Sequence, residues 1–309
     1  MSDLVRNPLR PAAGPAVSNG LCFAAMAFWA AAFPAAEILL ETWGVIALIA
    51  ARMGFGALVL AIVWRLVEGA AAIRRAAWSK GLFIGGLGFG VGATLLLAGQ
   101  AYSDPVTTAI IASMTPIAGA AVEYLYDRKR LSARLLAGIA LALIGGLIAA
   151  GADLARGTVG LGALLSMVSV FVYVWGTRAA NVSLPGETVL GRTAVTSIGA
   201  AAVCLSAWAT ARVMGWETAA VGAMGASELA LFVTYALLAF CVSQFLWLWS
   251  AGSLGVLVAS LHMNAVPFYV MIAGVIGLGA DWSWAQALGA AIVAAGVLLA
   301  QARPTQRRI

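Results

Sequence analysis

A single histidine, one arginine and a few carboxamides stand inside long apolar runs of this chain, and their types limit what its interior can do. His262, the only histidine of the sequence, lies in Ala-Ser-Leu-His-Met-Asn-Ala-Val-Pro-Phe-Tyr-Val (259–270), with Asn264 beside it and Tyr269 further on. Positions seven apart return to one stripe of an α-helix, so an unbroken helix brings His262 and Tyr269 to the same face. A neutral imidazole offers one donor and one acceptor. It either fastens two helices through a carbonyl or meets a zwitterionic solute in a cavity. Arg52 stands about nine residues into another run, ~14 Å along a helix axis. A charge at that depth faces protein or a water-filled space. Its two readings are a tie to carbonyls or to a carboxylate such as Glu37, and an electrostatic contact with the carboxylate of a bound solute.

The other candidates come in pairs. Trp29 and Phe33 share a helical face, as do Phe171 and Trp175, and Gln244 and Trp247, while Gln100 and Tyr102 close a third run. An apolar wall with a few polar groups suits amino acids with hydrophobic or aromatic side chains, although ordinary helix packing produces the same spacings. An intramembrane enzyme would need a nucleophile–base pair or a metal cluster. One histidine and three dispersed cysteines, Cys22, Cys204 and Cys241, supply neither. No P-loop pattern occurs, no cofactor is called for, and no Asp or Glu falls at the centre of an apolar run. Tight proton coupling through a buried carboxylate is therefore not expected, and a uniporter or facilitator is.

The elements that must position these groups follow from composition. The chain is 63% hydrophobic and 10% charged, far from the ~25% charged residues of a soluble domain. Apolar runs long enough to cross a bilayer recur at about 20–39, 43–65, 81–101, 106–125, 133–152, 158–178, 188–211, 229–250, 255–277 and 283–302. The expected fold is an all-α polytopic membrane protein of ten transmembrane helices, with the lipid bilayer as its surroundings. Asp104-Pro105 marks a helix start, Ser283 with Gln286 forms a capping box, and Pro185-Gly186 breaks the chain. The net charge of +6 does not point to nucleic acid. Fifteen of the 18 Lys and Arg, from Arg6 to Arg308, fall in gaps on one side of the alternating spans. By the positive-inside rule both termini, 1–19 and 303–309, are cytoplasmic tails. No cleavable signal peptide and no obligatory protein partner are evident.

A shift of 151 residues superposes Pro116 on Pro267, Ser132 on Ser283, Gly138 on Gly289 and Gly145 on Gly296. Each half, 20–152 and 158–302, holds five predicted spans. Because five is odd, equivalent helices cross in opposite directions, which makes the repeat an inverted one. Inverted repeats are the architecture of secondary transporters that work by alternating access. Pro116 and Pro267 each remove a backbone N–H, so a matched pair of kinked helices is expected beside the pathway. The glycine run Gly85-Gly86-Leu87-Gly88-Phe89-Gly90-Val91-Gly92 permits close helix approach or flexing.

These features resemble the drug/metabolite transporter superfamily, in its ten-helix EamA-type branch. The likeness is carried by Phe28-Trp29-Ala30-Ala31-Ala32-Phe33-Pro34, by Arg52 in its Ala-Arg-x-x-x-Gly setting, and by Ala98-Gly99-Gln100-Ala101-Tyr102. Ala112-Ser113-Met114-Thr115-Pro116 and the stretch 278–289 add to it. The branch's Gly-Glu-Arg-Leu signature is absent, since Arg128-Lys129-Arg130-Leu131 and Gly279-Ala280-Asp281-Trp282 stand there instead. The resemblance implies a bacterial inner-membrane exporter of a small-molecule substrate, similar to amino-acid exporters of the aromatic and methionine type. A drug or other-metabolite exporter on the same scaffold and a non-transporting membrane sensor are the alternatives.

Overall fold

The structure, a computed structural model, describes residues 15–127, 133–149, 159–254 and 259–301. Most of both tails, the basic run Arg128-Lys129-Arg130, Ser132, and Asp153 and Arg156 lie outside them. Among the described residues all regular structure is helical. Seven helices among the described residues are long and apolar enough to cross a membrane: α1 Ala16–Leu40, α2 Val45–Arg75, α3 Trp78–Ala101, α4 Pro105–Tyr126, α6 Gly160–Ser183, α7 Val189–Val213 and α8 Ala226–Leu254. The other three expected spans are met, among the described residues, by shorter apolar helices that are not long enough by themselves to count as crossings: α5 Ala133–Ala149, α9 Val266–Leu278 and α10 Trp284–Gln301. The chain is a membrane-embedded, multi-pass protein.

The predicted helix starts have a visible cause. Asp104 Oδ1 accepts from the amides of Val106 and Thr107, each at 2.9 Å, with Pro105 at the first helical position of α4. A cap of that kind contributes ~1 kcal/mol. The Gln286 amide donates to Ser283 Oγ at 3.3 Å, but the Gln286 side chain does not turn back to close a box. It donates instead to Asp104 Oδ1 at 2.9 Å, which ties the starts of α4 and α10 together.

Several helices are interrupted. In α4, Ser113 and Met114 leave the helix just before Thr115-Pro116. A tight 3-10 turn, Leu261–Ala265, precedes Pro267 at the start of α9. The first helix is broken at Ala31, three residues before Pro34. Wide π-helical turns occupy Gly85–Val91 in α3 and Thr234–Val242 in α8. The second helix runs ten residues past its predicted end, with Gly69 at φ 79° marking a break inside it.

Neighbouring relations are long-range in sequence: α2 packs on α7, α5 on α10, α3 on α6, α1 on α8 and α4 on α9. Small residues permit two of these approaches. A Cβ at Gly88 would stand 2.5 Å from Gly176 Cα, between α3 and α6. One at Gly145 would stand 2.7 Å from the Gly289 carbonyl oxygen, between α5 and α10. Backbones this close leave no room for any side chain. The largest core lies where α2, α3, α7 and α8 meet, around Leu48, Ile49, Trp64, Val195 and Tyr235.

Candidate substrate cavity

Between these helices lies a cavity walled mainly by α1, α2, α3, α6 and α8. All space between atoms out to its mouth amounts to ≈ 930 Å³, yet the centre of a water-sized sphere reaches only ≈ 80 Å³ of it. It is a narrow, close-walled slot. Trp29 and Phe33 form one wall from α1, their rings edge to face at 5.3 Å. The break at Ala31 does not separate them, because the helix resumes at Ala32.

Arg52 brings the cavity its charge. The side chain is 8% exposed, and its Nη2 donates to the Ala239 carbonyl, inside the π-helical turn of α8, at 2.9 Å. The guanidinium lies over the Tyr235 ring at 4.2 Å and the Phe240 ring at 5.6 Å from their centroids. Cation–π attraction of this kind offsets part of the cost of burying the charge. No described carboxylate forms an ion pair with it, and Nε has no protein acceptor. Glu37 is engaged elsewhere: Gln100 Nε2 donates to the Phe33 carbonyl at 2.8 Å and to Glu37 Oε2 at 3.4 Å. Gln100 is shared between the cavity and a second, more open pocket, which Glu37, Glu41 and Glu217 line on its other side.

Most remaining hydroxyls of the cavity are committed within the protein. Tyr173 Oη donates to Gln244 Oε1 at 2.6 Å, Ser169 Oγ to the Gly92 carbonyl at 2.7 Å, and Thr115 Oγ1 to the Ala112 carbonyl at 2.6 Å. Trp247 and Tyr235 are different. Both are buried and line the cavity, and neither the Trp247 indole Nε1 nor the Tyr235 hydroxyl has a partner among the described residues. The arrangement can therefore hold a flat or extended apolar body beside one cation, with donors to spare.

Residues 18–150 match the model of the EamA-like transporter family. That match agrees with the resemblance read from the sequence over the first half of the chain. A solved crystal structure shares the fold, with a TM-score of 0.67 at 18% identity, over 93% of this chain and 98% of that one. No curated protein sequence matches the chain.

Within this fold the residues singled out by sequence divide into two groups. Trp29, Phe33, Arg52, Gln100 and Gln244 line the cavity. His262, Asn264, Tyr269, Phe171, Trp175 and Tyr102 do not. The 3-10 turn at 261–265 advances side chains by about 120° per residue rather than 100°, so the face expected to carry His262 and Tyr269 is not continuous. Met263 reaches the cavity instead. His262 Nδ1 lies 3.2 Å from the Ala259 carbonyl oxygen, and its ring packs on Phe23 at 4.5 Å. On α6 the inward stripe is Ser169 and Tyr173, and Phe171, two residues from each, points away and is 39% exposed. Trp175 donates to Tyr126 Oη at 2.8 Å and meets the Phe83 ring edge-on. Tyr102 is exposed at the end of α3.

Sequence reasoning passed over Tyr173, Tyr235 and Phe240. Ser169 and Tyr173, four apart with hydroxyls in an apolar helix, were the available signal for the first. Tyr235 and Phe240 gave none, because an irregular π-helical turn sets which way they point.

Proposed function

We propose that this protein is a secondary transporter of the bacterial-type inner membrane that exports small organic metabolites, foremost amino acids with hydrophobic or aromatic side chains. In this reading all ten apolar helices cross the membrane as two inverted five-helix repeats, 20–152 and 158–302, with both termini cytoplasmic. Support comes from the packing pairs. Helices α2 and α7, α4 and α9, and α5 and α10 are each one repeat apart and touch, and the pair α1–α8 has its exchanged counterpart in α3–α6. A twofold relation between halves produces that pattern. The interrupted helices α4 and α9, each broken just before its proline, and the π-helical turns of α3 and α8 give the two halves local freedom to rock.

The observation that carries the proposal is the cavity itself: enclosed between helices of both halves, aromatic, and holding one cation. Trp29, Phe33, Gln100, Arg52 and Gln244 are its substrate-facing set, joined by Tyr173 and Trp247. Transport runs by alternating access down the substrate gradient, without ATP and without an enzymatic step. Counterflow in proteoliposomes tests it. Vesicles preloaded with unlabelled phenylalanine or methionine should accumulate the labelled amino acid transiently without a pH gradient. Folded protein that exchanges no amino acid, while exchanging other metabolites, would replace the amino-acid assignment and keep the carrier.

A further inference from the structure

Two buried N–H groups of the cavity lack an acceptor, and its formal charge is unbalanced. Arg52 Nε and Trp247 Nε1 are N–H groups on cavity-lining residues, both buried, and neither has a protein acceptor. Arg52 carries the cavity's only formal charge among the described lining residues. Glu37, the carboxylate bonded by the lining residue Gln100, borders the neighbouring pocket and does not line this one. Tyr235 and Phe240, which could face an incoming cation, already hold the guanidinium.

A buried donor without an acceptor costs free energy, and a buried guanidinium costs more. A carboxylate offers two oxygens that match the guanidinium fork, and it neutralises the charge. An ammonium brought to the same place meets a like charge and no described carboxylate. A zwitterion therefore gains at one end and must give up hydration at the other.

We propose that the cavity recognises the carboxylate of its solute through Arg52, and that the α-ammonium group is dispensable. The substrate class is then wider than amino acids. It takes small monocarboxylates with an apolar or aromatic body, including hydroxy acids and oxo acids of the same skeleton. This rests on the transporter reading above and narrows what that transporter selects. Arg52 is a specificity-determining residue in it, and Trp247 supplies a further donor on the same wall.

The test is a matched set of phenyl compounds offered to the full chain in proteoliposomes and, by thermal stabilisation, in nanodiscs. Phenylalanine carries both charged groups, phenyllactate only the carboxylate, and phenylethylamine only the ammonium. Phenyllactate should exchange and stabilise within ~3-fold of phenylalanine or better, and phenylethylamine should be at least ~10-fold weaker. Arg52→Gln should remove the preference for the carboxylate compounds, and Arg52→Lys, which keeps the charge but not the fork, should retain part of it. The wild-type panel stands even if the variants fold poorly. If phenylalanine exchanges and phenyllactate does not, or phenylethylamine competes equally, the inference fails while the amino-acid carrier survives. Exchange of phenyllactate without phenylalanine would uphold the inference and remove the amino-acid assignment. Exchange of none of the three in folded protein overturns both.

Discussion

Arg52 and His262 are both lone polar side chains in apolar runs, and both are 8% exposed, yet their surroundings differ. The Arg52 guanidinium borders the narrow slot, has one backbone acceptor and keeps Nε unmatched. His262 turns back to a carbonyl three residues earlier, and an aromatic edge covers its ring. Residue type and depth alone do not distinguish them. What separates them is whether the neighbours leave room and leave hydrogen-bonding capacity unmet. In the transporter reading proposed above, that makes the α1–α2–α8 wall the working surface and the start of α9 a structural joint.

The largest expected effect falls on the first of these regions. Truncating one partner of a buried charge pair costs ~2–5 kcal/mol, so Arg52→Ala should lower exchange by at least ~30-fold at saturating protein recovery. Near-normal exchange would erase the contrast, because the guanidinium would then be only a tie to Ala239. A smaller change sharpens the same wall. Trp247→Phe keeps the ring and deletes the N–H that lacks an acceptor. If that N–H meets a solute oxygen, exchange should weaken ~3–10-fold, the worth of one hydrogen bond, with little change in melting temperature. If it meets nothing, removing an unmatched buried donor should raise stability slightly and leave exchange alone. Melting and counterflow on one preparation separate the two results.

How far the sequence could be read follows from where the backbone is regular. Apolar length and the Asp104-Pro105 start need only local chemistry; the start appears in the structure, as does spanning length in seven of the ten expected helices. Gln244 with Trp247 lies on regular helix, and the break at Ala31 between Trp29 and Phe33 keeps right-handed helical dihedrals, so the period of ~3.6 residues places each pair on a shared face. His262 with Tyr269 spans a 3-10 turn, and the same arithmetic fails there. Phe171 with Trp175 fails for another reason. The period is right, but aromatic character does not say which of two faces turns inward, and Ser169 with Tyr173 takes that face. The partners of Arg52 come from a π-helical turn 187 residues away, a distance no local pattern encodes. Glu37, expected as one partner for Arg52, is bonded by Gln100 instead.

His262→Ala is the smallest change and the sharpest check on the second region. It deletes the contact to the Ala259 carbonyl and the edge-to-face packing on Phe23, which together are worth ~1–3 kcal/mol. The melting temperature should therefore fall by a few degrees. Exchange, measured below that temperature on folded protein, should stay within ~2-fold of wild type, because nothing lining the cavity has moved. Replacement by Phe should recover most of the lost stability, since a ring again fills the space beside Phe23. A tenfold loss of exchange in folded His262→Ala that Phe does not repair would mean the imidazole reaches the solute in another state of the cycle. The joint at the head of α9 would then belong to the transport path, and the two regions would be one.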